Sequence, residues 1–123
     1  MPVHIRNPLE AGKEMLCDAL VDTGASGLVL PAAWRDRLSP FVKSRQVKLE
    51  TADQRVIVGE VCGPVEVQIE GFAPVFNEVT FVPSEPEEGG YEVLLGYVLL
   101  EQSLAAVDLV GHRLVPVKAF DLK

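Results

Sequence analysis

The sequence predicts a small all-β protein, a compact barrel or sandwich of short strands. Strand-length apolar runs recur along the chain, several of them alternating with polar residues at period two. Turn signals rich in Gly, Pro or acidic residues separate these runs every several residues. The 123 residues suffice for one hydrophobic core, and no repeat or low-complexity stretch divides them. Residues 1–123 are therefore expected to form a single domain.

His4–Asn7 and Glu14–Asp22 read as the arms of a hairpin around the polar, glycine-containing segment Pro8–Lys13. Within the second arm, Ala19–Val21 run apolar without alternation, the pattern of a strand buried on both faces. Gly24 interrupts that run, and a further apolar strand, Leu28–Leu30, follows Gly27. Pro31 suits the first turn of a short helix over Ala32–Leu38, where its missing N–H has no partner to lose. Trp34 and Leu38, four residues apart, would share one face of it, with Trp34 in the core or near a dimer contact. Ser39-Pro40 ends the helix. Val47–Glu50 alternates, Thr51–Arg55 is a polar turn, and Val56–Val58 resumes as strand. Val61, Gly63, Val65, Val67 and Ile69 then fall at period two, with Glu60, Glu66, Gln68 and Glu70 opposite, as in a long half-exposed strand. A turn at Glu70-Gly71 and Ala73-Pro74 leads to a strand over Val75–Val82. Pro83–Gly90 holds two prolines, two glycines and three glutamates and reads as an exposed loop. Glu92–Leu95 is a short strand ending at Gly96, and Tyr97–Leu104 suits a short helix. Ala105–Val110 and Arg113–Val117 form a closing hairpin on the two-residue turn Gly111-His112.

Charge and composition exclude several functions. With 18 acidic and 11 basic side chains the net charge is −7, the wrong sign for a nucleic-acid surface. No run approaches the roughly 20 apolar residues of a membrane span, and the N-terminus lacks the apolar core of a signal peptide. A cytoplasmic protein without membrane or nucleic-acid partners is the expectation. Cys17 and Cys62 have neither metal-ligand spacing nor the density of a disulfide framework, and read as reduced thiols. His4 and His112 lie near opposite ends and read as turn or surface residues, so no zinc site, metal or other cofactor is expected. Ser26 sits in Gly-Ala-Ser-Gly rather than a nucleophile elbow, and no phosphate-binding loop is present.

The informative stretch is Ala19-Leu20-Val21-Asp22-Thr23-Gly24-Ala25-Ser26-Gly27-Leu28-Val29-Leu30-Pro31. An acid between apolar strands loses hydration and must be hydrogen-bonded or partly protonated. Gly24 allows close backbone approach to the Asp22 carboxyl, and the Thr23 hydroxyl can lock the turn. The alternative is a polar β-turn in which Asp22 merely caps Gly24; the long apolar flanks argue against it.

This stretch resembles the signature of the retropepsin-like aspartic proteases: two apolar residues, Asp-Thr/Ser-Gly-Ala, then an apolar strand. The family's second signature, two apolar residues and a glycine before a short helix, is matched by Leu94-Leu95-Gly96, 72 residues after Asp22, with Tyr97–Leu104 following. Glu50–Val56 lies where the family places its flap. Viral members commonly pair an acid four residues after the catalytic aspartate with an arginine after the second-signature glycine. Here those positions are Ser26 and Tyr97, so both partners are absent together. This makes the chain more similar to stand-alone cellular and bacterial members. The resemblance implies a closed barrel with one or two short helices, assembled as a two-fold homodimer, hydrolysing peptide or protein substrates. It implies Asp22, Thr23 and Gly24 as catalytic residues, with Ala25, Ser26, Thr51, Ala52 and Asp53 contacting substrate. Two carboxyls sharing a proton are required, and the chain has a single Asp-Thr-Gly. Asp18 is too far along its strand to pair with Asp22, and Asp108 reads as a polar strand-end residue, so the second acid is expected from another copy. A catalytically silent peptide-binding or dimerisation module of the same fold is the alternative.

Overall fold

In the computed structural model, the described residues are 1–21, 27–50, 54–83 and 93–96, with the strands at 105–108 and 113–116 described by their backbone. Ten strands form: β1 (Pro2–Arg6), β2 (Glu14–Asp18), β3 (Leu20–Val21), β4 (Leu28–Pro31), β5 (Lys43–Glu50), β6 (Val56–Ile69), β7 (Val75–Val82), β8 (Leu94–Leu95), β9 (Ala105–Asp108) and β10 (Arg113–Pro116). Eight belong to one sheet in the order β2-β1-β6-β7-β4-β8-β3, with β5 also on β6, while β9 and β10 pair with each other. The two ends of this order, β2 and β3, are neighbours in sequence with only Ala19 between them. The sheet therefore curls until its first and last strands belong to one stretch of chain, giving a strand-dominated curled half-barrel.

The 14-residue β6 organises the curl. Its first half pairs with β5, from Glu50↔Val56 to Lys43↔Gly63. Its second half pairs on the same side with β1, from Arg6↔Glu66 to Val3↔Ile69, while β7 follows the opposite side with a register shift between Cys62 and Val65. That irregularity coincides with Pro64, which has no N–H to give to a ladder. The alternation expected over Val61–Ile69 holds, and the irregularity buries Cys62 as well. Val65, Val67 and Ile69 join Val3, Ile5, Leu28, Leu30, Val79, Phe81 and Leu95 in the core.

The short helix is a 3-10 helix, Ala32–Arg37, with Pro31 as its N-cap. Leu38 ends it and is fully buried, while Trp34 is partly buried against the same core, beneath the Arg37 guanidinium at 5.1 Å. Asn7 is the single buried polar side chain among the described residues. Its amide donates to the carbonyls of Leu38 (2.7 Å) and Pro40 (2.5 Å), and its Oδ1 accepts from the Leu9 N–H (2.9 Å), tying the β1–β2 connection to the end of the helix.

Three local expectations are corrected. The second hairpin arm is broken at Ala19 rather than continuous to Asp22. The run Ala19–Val21 is not buried on both faces: Ala19 is buried, but Leu20 is 59% exposed because β3 ends the sheet. The β9–β10 ladder pairs Arg113 with Asp108, not with Val110 as a two-residue turn at Gly111-His112 would require, and residues 109–112 themselves lie outside the described residues. The proposed helix over Tyr97–Leu104 and most of the Pro83–Gly90 loop lie outside the described residues.

Candidate active site

Strand β8 lies between β3 and β4. It runs parallel to β3, with Leu20↔Leu94 and Val21↔Leu95, and antiparallel to β4, with Leu28↔Leu95 and Val29↔Leu94. The Leu20 N–H donates to the Val93 carbonyl (2.7 Å), and the Gly96 N–H donates to the Gly27 carbonyl (2.9 Å). Burial explains why so short a strand is held: Leu28 and Leu95 are fully enclosed, and Val93 nearly so. Two strands flanking a third lie ~10 Å apart, so Val21 and Gly27 are fixed on either side of β8 and residues 22–26 join them. The Leu94-Leu95-Gly96 motif is thus hydrogen-bonded to the strands on both sides of the Asp-Thr-Gly motif.

The β5–β6 hairpin supplies a second wall. Its ladder runs to Glu50↔Val56, with residues 51–53 between the strands and Gln54 in the left-handed region at φ 65°. Val47 and Leu49 of β5, Val61 of β6 and Thr80 of β7 line a cleft of about 360 Å³ together with Gly27. The base of the hairpin predicted to cover the site therefore shares a cleft with the end of the motif segment. Gly59 permits this packing: a Cβ there would lie 3.1 Å from both Leu49 Cδ1 and the Phe81 carbonyl oxygen.

All eight predicted site residues, Asp22, Thr23, Gly24, Ala25, Ser26, Thr51, Ala52 and Asp53, lie outside the described residues. The structure describes what flanks them. Asp18 is 85% exposed and sits 3.4 Å from the N-terminal ammonium, on the strand before the site. Sequence reasoning did not find Lys43 or Arg45, which line the cavities beside the site. Their signal was weak, because Lys43–Gln46 are polar at every position and show no alternation.

On the other face of the same strands, Glu60 accepts from Arg35 Nε (2.5 Å) and from the Ser44 hydroxyl (2.5 Å). These two hydrogen bonds, Arg35 first, hold the Glu60 carboxyl below its usual range. The thiols are free. Burial, reinforced by Asp18, pushes Cys17 up to about 11, and burial also raises Cys62. His4 stands on β1 with Nε2 3.7 Å from Glu14, a surface residue as expected but on a strand rather than in a turn. Among the described residues no cluster of three or more His, Cys, Asp or Glu is placed to hold a metal, and no helix is long and apolar enough to cross a membrane.

The curled architecture is similar to that of the EIAV protease complexed with the inhibitor HBY-793, at 19% identity and a TM-score of 0.60, covering 94% of this chain and 89% of that one. That likeness defines a retropepsin-like fold. Residues 9–99 match the family model described as aspartyl protease, and the chain belongs to that retropepsin-like aspartic protease family. No curated protein matches the chain significantly.

Proposed function

We propose that the chain is an aspartic endopeptidase whose active form is a homodimer, with one Asp22 from each copy at the two-fold axis. The supporting observation is the placement of β8 between β3 and β4, which hydrogen-bonds the second family motif to the strands that flank the first. In this reading one Asp22 carboxylate takes a proton from a water, and the other, protonated, polarises the scissile carbonyl. Thr23 and Gly24 hold the pair through hydroxyl and backbone N–H bonds. Ala25 and Ser26 contact the peptide from below, and Thr51, Ala52 and Asp53 cover it. The peptide lies extended in the cleft lined by Val47, Leu49, Val61, Thr80 and Gly27 and pairs with backbone. Residues 1–123 act as one closed-barrel domain, in the cytoplasm.

The test is Asp22→Asn, which keeps shape and removes ionisation at both positions of the dimer. The variant should remain folded and dimeric, lose cleavage of a diverse peptide library, and still bind a substrate-like peptide. An Asn variant that cuts as fast as the parent would remove Asp22 from the mechanism.

A further inference from the structure

The cleft does not end at the residues nearest the motif. A second opening, of about 590 Å³, is bounded by Val42, Lys43, Pro64 and Phe76. Arg45, Asn77 and Glu78 line both, so the two openings adjoin along β5 and β7. Strand geometry explains why they adjoin. Lys43, Arg45, Val47 and Leu49 are alternate residues of β5 and share one face, turned away from the Ser44–Glu60–Arg35 cluster. The six residue steps from Lys43 to Leu49 at ~3.3 Å each give this track a length of about 20 Å. Gly63 keeps the floor low, because a Cβ there would come within 3.3 Å of Glu78 Cγ.

The chemistry changes along the track. Near Gly27 the groove is lined by Val47, Leu49 and Val61. At its far end Phe76 and Val42 are exposed apolar groups, 61% and 64% accessible, beside two cations and one anion, Lys43, Arg45 and Glu78. Neither Lys43 nor Arg45 makes an ion pair with a described residue. In a chain of net charge −7, two adjacent cations in a groove are a local reversal of sign.

We propose that this outer groove is an extended substrate site, in which Arg45 and Lys43 select peptides carrying a carboxylate and Phe76 and Val42 take a neighbouring apolar side chain. The inference rests on the protease reading above. The selected residue lies about four to six positions from the scissile bond, as the length of the track requires. Arg45 and Lys43 are specificity-determining residues that touch substrate far from the reacting atoms.

The experiment uses matched peptides with Glu, Gln or Lys at each position up to six residues on either side of the scissile bond. The full-length parent is compared with a Lys43→Glu/Arg45→Glu variant, measuring both kcat/KM and peptide binding. The parent should prefer Glu over Gln at one distal position by about fivefold, the worth of an exposed ion pair, and the preference should shrink at high salt. In the variant the preference should turn to Lys. Equal handling of Glu and Gln by the parent at every position overturns the proposal, as does a preference that survives the charge reversal. A variant altered in self-association but not in peptide preference also overturns it, giving the groove to a second copy. Absence of cleavage by the parent defeats the protease reading, and the binding arm then decides the groove separately by the same reversal.

Discussion

Asn7 shows how much one polar side chain can decide. Its amide and carbonyl satisfy the nearby Leu9 N–H and two carbonyls 31 and 33 residues along the chain. Asn7→Ala leaves the Leu38 and Pro40 carbonyls without that donor, and should cost about 2 kcal/mol in denaturant unfolding. Glu60 is a milder case, since its carboxylate is partly exposed. Glu60→Gln should cost about 1 kcal/mol at neutral pH, solvent screening having reduced the gain. Because the folded state holds this carboxyl below its usual range, its contribution is present above the unfolded pKa of about 4.5 and lost as pH falls through the lower folded value. Unfolding curves of parent and Glu60→Gln should therefore converge in acid. A gap that persists there would assign the loss to packing.

At the scale of elements, β8 carries more than its length suggests, since two residues join β3 to β4. Leu95→Ala should destabilise the protein by about 2–4 kcal/mol through the cavity it leaves, and reduce cleavage further than its unfolded fraction explains. Leu16→Ala, at a side chain 76% exposed, should change stability by less than about 0.5 kcal/mol. Elements were legible in the sequence where one face is buried and the other wet: Val61–Ile69 and Val75–Val82 announce themselves by pattern. They were illegible where pairing, not burial, selects the strand. Lys43–Gln46 extend β5 because β6 offers a ladder, and the break at Ala19 arises where the chain passes from β1 to β8 as partner. Asn7 was hidden for a related reason: its partners come from a distant turn. Of the candidate site, the motif order and the flanking strands could be read beforehand, whereas the basic end of the groove depends on a strand with no periodic signature.

At the scale of the molecule, the proposed mechanism, with a single Asp-Thr-Gly per chain, would make activity a property of two chains. Activity per chain should fall on dilution through the dimer dissociation range, in step with the dimer fraction measured by sedimentation. Two close carboxyls cannot both ionise cheaply, so one of the pair should hold its proton above ~3.9, the ordinary aspartate value. Cleavage should peak in acid or mildly acidic solution and decline as the shared proton is lost. A flat profile from acid to neutral pH would contradict a two-carboxyl mechanism.

The division of one segment between the two ends of the sheet also sets an order of events. The β1–β2 ladder joins residues 8 to 16 apart in sequence, whereas Leu20 meets Leu94 across 74. Local pairs close early and distant ones late, and synthesis proceeds from the N-terminus. Asp22 is thus made 72 residues ahead of Leu94, and the strand that pairs with β3 just before it arrives only with Leu94 and Leu95. Until then a growing chain lacks the β3–β8 pairing, so in the proposed reading the topology itself would withhold proteolytic potential from nascent protein.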